Sequence, residues 1–287
     1  MSAPAIHDLG YRRYEGARHG AREAWRALFW QGFRAMWGLG RPFKAKAIPV
    51  FVAVVTTLPV LASLTASSVS GGQLPIRYGM LVSGQLVLFI LFAAAQAPEV
   101  VSRDQQHRVL PLILTRDVTR LQYATARLAA VWFATFTLCL APLLLAYVGE
   151  IGIAKNPAVA FNTMGSRIGP VLLYATITSW LFATVGAALA SLSARRAYAT
   201  ASVIGLFLVV GAITTGLDQM AGLSDTVAVL LDPLRTLRTL AMVLFAETTR
   251  AMEITPPPPV AVLLAMLVAI GSAASALLLW RLRRLRV

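Results

Sequence analysis

Six stretches of the chain are apolar from end to end and contain no Asp, Glu, Lys or Arg: about Ala47–Val69, Gly79–Ala97, Leu128–Val148, Gly169–Leu192, Tyr198–Leu217 and Val260–Trp280. A helix of roughly 20 apolar residues matches the hydrocarbon thickness of a bilayer. Within that thickness a segment must satisfy its own backbone hydrogen bonds, which a helix does. The fold class expected is therefore all-α: a polytopic membrane protein with about six transmembrane helices. Pro49, Pro59 and Pro142 lie in or at the edge of runs, which membrane helices tolerate. The composition agrees, because only 13% of the residues are charged, about half the share of a soluble protein.

The charges that remain are distributed unevenly. Counting Lys and Arg on alternate sides of the runs gives twenty on the side of both termini and six on the other. The excess of basic residues marks the cytoplasmic side, so both ends are expected inside. The net charge of +14 then reads as a basic rim facing anionic membrane lipids, and nucleic acid is not expected as a partner. Arg greatly outnumbers Lys and Ala is abundant, the habit of a GC-rich bacterial genome, and the expected location is a bacterial plasma (inner) membrane.

Residues 1–46 form a cytoplasmic segment ahead of a membrane domain at 47–287. Asp8, Glu15 and Glu23 stand among many arginines before any apolar run, which is not the layout of a signal peptide. Within this segment, Trp25, Leu28, Phe29, Gly32, Phe33, Met36 and Trp37 recur at helical spacing, with Arg18, Arg22 and Arg26 on another face. Such an amphipathic helix suits the headgroup layer or the side of another helix. Trp25, Arg26, Phe29, Phe33 and Trp37 are its candidate interfacial residues.

Residues 226–246 are long enough to span but carry Asp232, Arg235 and Arg238, each costing about 2.5–3.5 kcal/mol at mid-membrane. A seventh span would also place the basic tail outside. This part of the outer segment 218–259 is expected to lie at the outer face or to dip into it, and Pro256–Pro259 to act as a stiff spacer.

Several kinds of chemistry are missing. There is no G-x-x-x-x-G-K-[ST] phosphate loop, so ATP is not expected to bind that way. His7, His19 and His107 are the only histidines and Cys139 the only cysteine, which leaves no metal site and no disulfide. None of the six runs holds an ionisable group for proton or sodium coupling or for hydrolysis. No catalytic residue, metal or cofactor is assigned to this chain. Gln85, Gln96, Tyr147, Tyr174, Thr176, Thr178 and Ser179 supply mild polarity, equally suited to interhelical contacts and to ligand groups; an apolar route would suit an amphiphile.

The loop between the second and third runs, residues 98–127, carries the most specific side chains. Glu99, Arg103, Asp104, His107 and Arg108 are followed by Leu110, Leu112 and Leu114, then by Thr115, Arg116 and Asp117, with Arg120 and Arg127 leading back to the membrane. A short charged helix with leucines could dock into a partner, or could be a solvated connector with snorkelling arginines.

With its N-terminal amphipathic helix, six runs and charged loop, the chain resembles type-2 ABC transporter permeases, the membrane subunits of the drug, lipid and polysaccharide exporter superfamily. Glu99 matches the family's acidic residue, Arg103–Asp104 its basic–acidic pair, Leu110, Leu112 and Leu114 its Leu-rich helix, Thr119–Arg120 its turn, and Arg127 its last basic residue. His107–Arg108 replaces a Gly-Thr step, and Asp117 stands where proline is common. The resemblance implies a coupling helix that inserts into a separate ATP-binding cassette ATPase, with Glu99, Arg103, Asp104, His107, Arg108, Leu110, Leu114 and Arg120 at the contact. It implies ATP and Mg on that partner, a second permease copy or paralogue completing a dimer, and short re-entrant helices between the fifth and sixth spans. Two other classes fit the topology: a scaffold or signalling protein that docks a cytoplasmic regulator, and an ion-driven secondary carrier.

Overall fold

The six apolar runs each become one long helix. The computed structural model describes residues 20–106, 111, 113, 118–222, 224–247 and 256–284, and the described residues form helices and turns with no strand. A first helix, α1 (Ala21–Met36), precedes the six: α2 (Phe43–Val69), α3 (Tyr78–Val100), α5 (Arg120–Ile153), α7 (Ile168–Leu192), α8 (Arg196–Ala221) and α11 (Val260–Arg284). Between them lie the short helices α4 (Ser102–Gln106), α6 (Pro157–Met164), α9 (Asp225–Leu231) and α10 (Pro233–Leu244). All six long helices are long and apolar enough to cross a membrane.

Helix α5 measures its own crossing. It has 34 residues, about 51 Å at the α-helical rise. Its only charged residues beyond Arg120 are Arg127 and Glu150, and the stretch between them covers about 34 Å, close to the hydrocarbon thickness. The charges stand where an uncharged helix would leave the membrane.

The centre of the bundle is α7, whose long apolar helix is mostly buried, and which packs against α5, α11 and α3. Small residues allow this. A Cβ built on Gly186 would meet the Cβ of Ala97 at 3.3 Å and that of Ala93 at 3.7 Å, so α3 and α7 approach nearly backbone to backbone. Such contacts replace the hydrophobic drive that is absent between helices in lipid. Gly186→Leu is expected to destabilise the bundle by about 1–3 kcal/mol through overpacking, seen as a lower midpoint of thermal unfolding in detergent. By contrast α2, α8 and α11 leave most of their surface exposed.

The ambiguous segment after α8 folds back on itself. Gly222 ends α8 in the left-handed region, φ 58°, and α9 and α10 form a hairpin whose tip is Asp232–Pro233. Asp232 caps α10 by accepting from Leu234 N at 2.8 Å, and Thr236 Oγ1 donates to Val229 O at 2.7 Å, joining the two arms. The tip lies beside Gly211, whose Cβ position would be 3.6 Å from Asp232 Oδ2. Gly211 is about 15 Å down α8 from Ala221. The returning arm α10 is 12 residues long, about 18 Å, and packs along α3. It ends where Phe245 stacks on Tyr78 and Glu247 accepts from Gly79 N and Met80 N. The hairpin therefore enters the bundle and does not lie across its end. It also brings Asp232 and Arg235 alongside a long apolar helix, although none of the six runs contains an ionisable residue.

Candidate functional site

The site is built at the end of the bundle that carries α1 and the last turn of α11. Here α3 runs into the five-residue helix α4 after Val101. Ser102 Oγ donates to Ala190 O at 2.7 Å, and Gln105 Nε2 donates to Ser191 O at 3.2 Å, which ties α4 to the last turn of α7.

Two carboxylates extend the connection. Glu99 lies between three arginines: Arg41 at 2.6 Å from the α1–α2 link, Arg196 at the start of α8, and Arg103 at 3.7 Å on α4. Asp104 pairs with Arg127 of α5 at 2.7 Å and accepts from Tyr123 Oη at 2.7 Å. Arg127, only 5% exposed, also donates to Leu28 O at 3.2 Å and Gln31 Oε1 at 3.1 Å on α1. Its guanidinium lies over the Tyr123 ring. One buried cation thus joins α1, α4 and α5, and one carboxylate joins the α1–α2 link, α3, α4 and α8.

Of the loop residues singled out in the sequence, Glu99, Arg103 and Asp104 come together around α4. Glu99 and Asp104 are engaged within the chain, whereas Arg103 and Gln106 form the exposed face of α4. Arg120 stands apart and donates to Arg283 O at 2.8 Å, linking the start of α5 to the end of α11. Thr119 and Gln122 form a reciprocal capping box that starts α5. His107, Arg108, Leu110 and Leu114 lie outside the described residues.

Helix α1 turns its apolar stripe toward the protein. Gly32 meets Ala130, with a built Cβ only 2.8 Å from the alanine Cβ. Phe29 and Phe33 touch Phe133, and Trp37 touches Phe92. Trp25 Nε1 donates to Thr125 Oγ1 at 3.1 Å. Arg26 and Trp30 face outward. The helix braces α5 and α3 through its apolar stripe.

Arg41, Gln31, Tyr123 and Arg196 were not identifiable as site residues, since each lies far in sequence from the charged group it serves: Glu99 for Arg41 and Arg196, Asp104 for Tyr123 and Arg127 for Gln31. The T-x-x-Q pattern at Thr119–Gln122, read in the sequence only for the turn at Thr119–Arg120, is the signature that could have located the capping box. Among the mildly polar residues, Gln85 donates from Nε2 to Thr56 O at 2.8 Å, so it is an interhelical contact.

Two comparisons bear on this arrangement. The profile of the family described as ABC-2 family transporter protein matches residues 54–277, which includes all of the long helices except part of the first and the last turns of the sixth. No curated protein matches the chain.

Proposed function

The chain belongs to the ABC-2 transporter family and is a multi-pass membrane permease component of an ABC transporter, and on that premise we propose that it is the permease half of an exporter driven by a separate ATPase. The observation that carries this reading is α4. Its buried face is bonded to α5 and α7, and it joins α3 directly and α8 through Glu99. Its outward face, Arg103 and Gln106, is left for a partner.

Closure of the ATPase dimer on Mg-ATP would push on α4, and the ion pairs would pass that displacement to four long helices and the α1 brace as a rigid-body shift. The ATP and Mg belong to the partner; this chain contributes no catalytic residue. A second permease, copy or paralogue, completes the route. Both termini face the cytoplasm of a bacterium, which puts α4 on the side where ATP is, and the α9–α10 hairpin re-enters from the outer face.

The test is purification of the tagged protein from its native host in mild detergent, with mass spectrometry of what remains bound. A stoichiometric ATPase is expected, and Arg103→Glu should lower its substrate-linked hydrolysis several-fold while membrane yield stays normal. Charge reversal at Asp104 is a poorer probe, because it would break the internal pair with Arg127. Normal coupled activity in Arg103→Glu removes the role assigned to α4. A preparation without a nucleotide-binding partner, even after crosslinking, would favour a scaffold or an ion-driven carrier.

A further inference from the structure

A groove of about 390 Å³ lies between the start of α2, the α3–α4 junction and the start of α8. Its charged lining residues are Arg41, Glu99, Arg103 and Arg196, three cations around one anion. Glu99 is 14% exposed, while the side chains of Arg41, Arg103 and Arg196 are 23%, 48% and 51% exposed. The carboxylate is the inner member and the guanidiniums open outward. Each guanidinium has five N–H donors, whereas a carboxylate has about four acceptor positions, so most of the donors in the groove are not met by Glu99.

The walls beyond the groove are apolar. Phe43, 83% exposed, stands at the start of α2 with Leu39 in the link before it, and Val50, Phe51 and Val54 continue the exposed face of α2. Tyr198, Leu208 and Val209 are the counterparts on α8. The cationic groove is therefore located where the exposed apolar faces of two membrane-spanning helices begin, at headgroup level.

We propose that this groove binds the phosphate of an anionic phospholipid, whose acyl chains lie along the exposed faces of α2 and α8. Paired guanidiniums match phosphate oxygens in a bidentate manner, and the excess of two positive charges selects an anionic headgroup over a zwitterionic one. Glu99 tunes the site by competing with the phosphate for the same donors. The groove shares Arg103 and Gln106 with the outward face of α4, but lipid binding at Arg41 and Arg196 needs no ATPase and rests only on the helices spanning a membrane.

The test uses the full chain alone in phosphatidylcholine vesicles, with no ATPase present. Electron paramagnetic resonance of spin-labelled phosphatidylglycerol and spin-labelled phosphatidylcholine reports how much of each lipid is held at the protein surface. The wild type is expected to favour phosphatidylglycerol, and combined Arg41→Gln and Arg196→Gln to reduce that preference by about thirty-fold, roughly five-fold for each of the two charges removed. Glu99→Gln is expected to raise the preference, the opposite of what loss of a purely structural ion pair would do.

Arg22→Gln, which removes an exposed charge of α1 outside the groove, is expected to leave the preference unchanged. If the double variant does not fold, Glu99→Gln and Arg22→Gln decide alone. An unchanged or lowered preference in Glu99→Gln overturns the proposal, as does a loss in Arg22→Gln equal to that of the double variant. Displacement of the labelled lipid by millimolar inorganic phosphate would assign the groove to free phosphate and overturn the lipid.

Discussion

Arg127→Met is expected to lower the stability of the detergent-solubilised protein by about 3–5 kcal/mol, the usual cost of leaving one partner of a buried ion pair uncompensated. The side chain is 5% exposed and its loss would leave Asp104, 15% exposed, with Tyr123 as its one side-chain donor among the described residues. The same substitution removes two hydrogen bonds to α1 at Leu28 O and Gln31 Oε1, so the brace should loosen together with α4. Adding Asp104→Asn removes the stranded charge, and part of the stability should return. Thermal unfolding of the two variants and the double variant gives the coupling energy directly. Wild-type stability in Arg127→Met, or no recovery on adding Asp104→Asn, would mean that α1 and α4 are held by packing alone.

The second large effect is expected in the hairpin. Arg235 donates to Thr215 Oγ1 at 2.9 Å and reaches Asp218 at 3.4 Å and Asp232 at 3.8 Å. Asp232 is almost fully buried. Arg235→Met would leave that carboxylate facing α8 without its cation, a cost of again about 3 kcal/mol or more, and the tip should leave its place beside Gly211.

Cysteine labelling can follow this movement, because the chain's single cysteine, Cys139, is buried. Val229, 1% exposed on the inserted arm, is a suitable reporter. Val229→Cys should resist a polar maleimide in the otherwise native protein and react in the Arg235→Met background. Equal protection in both would show that apolar packing of α10 on α3, and not the charge cluster, holds the hairpin in.

The ion pairs explain why the site is only partly legible in the sequence. The capping box at Thr119–Gln122 involves neighbours, and its geometry follows from the start of α5 alone. Glu99 and Asp104 were recognisable as an acidic residue and part of a charged pair, but their partners were not. Arg41, Arg196 and Arg127 come from three other elements, and nothing in the local spacing distinguishes them from the remaining arginines. An isolated reading treated Arg103 and Asp104 as equivalent members of one docking pair. In the fold Asp104 turns inward to Arg127, while Arg103 stays half exposed.

The hairpin shows the same division. Sequence polarity identified residues 226–246 as unsuited to a full crossing, since Asp232, Arg235 and Arg238 would each be costly in lipid. Whether the segment lay flat or entered the bundle depended on partners 17 and 20 residues away on α8, Asp218 and Thr215, which neutralise and hydrogen-bond Arg235. For α1, the apolar stripe specified a buried face, and only the positions of Ala130, Phe133 and Phe92 decided that protein covers it.

What the sequence determined by itself is the set of long helices. Each apolar run satisfies its own backbone, so its existence, length and limits follow from residues within about 25 positions of one another. What tertiary structure alone decided is which charged groups neutralise each other, which face of α4 is left outward, and how deep the hairpin goes. Those outcomes depend on distances between segments that are remote in the chain, where a shift of one helical turn exchanges one arginine for another.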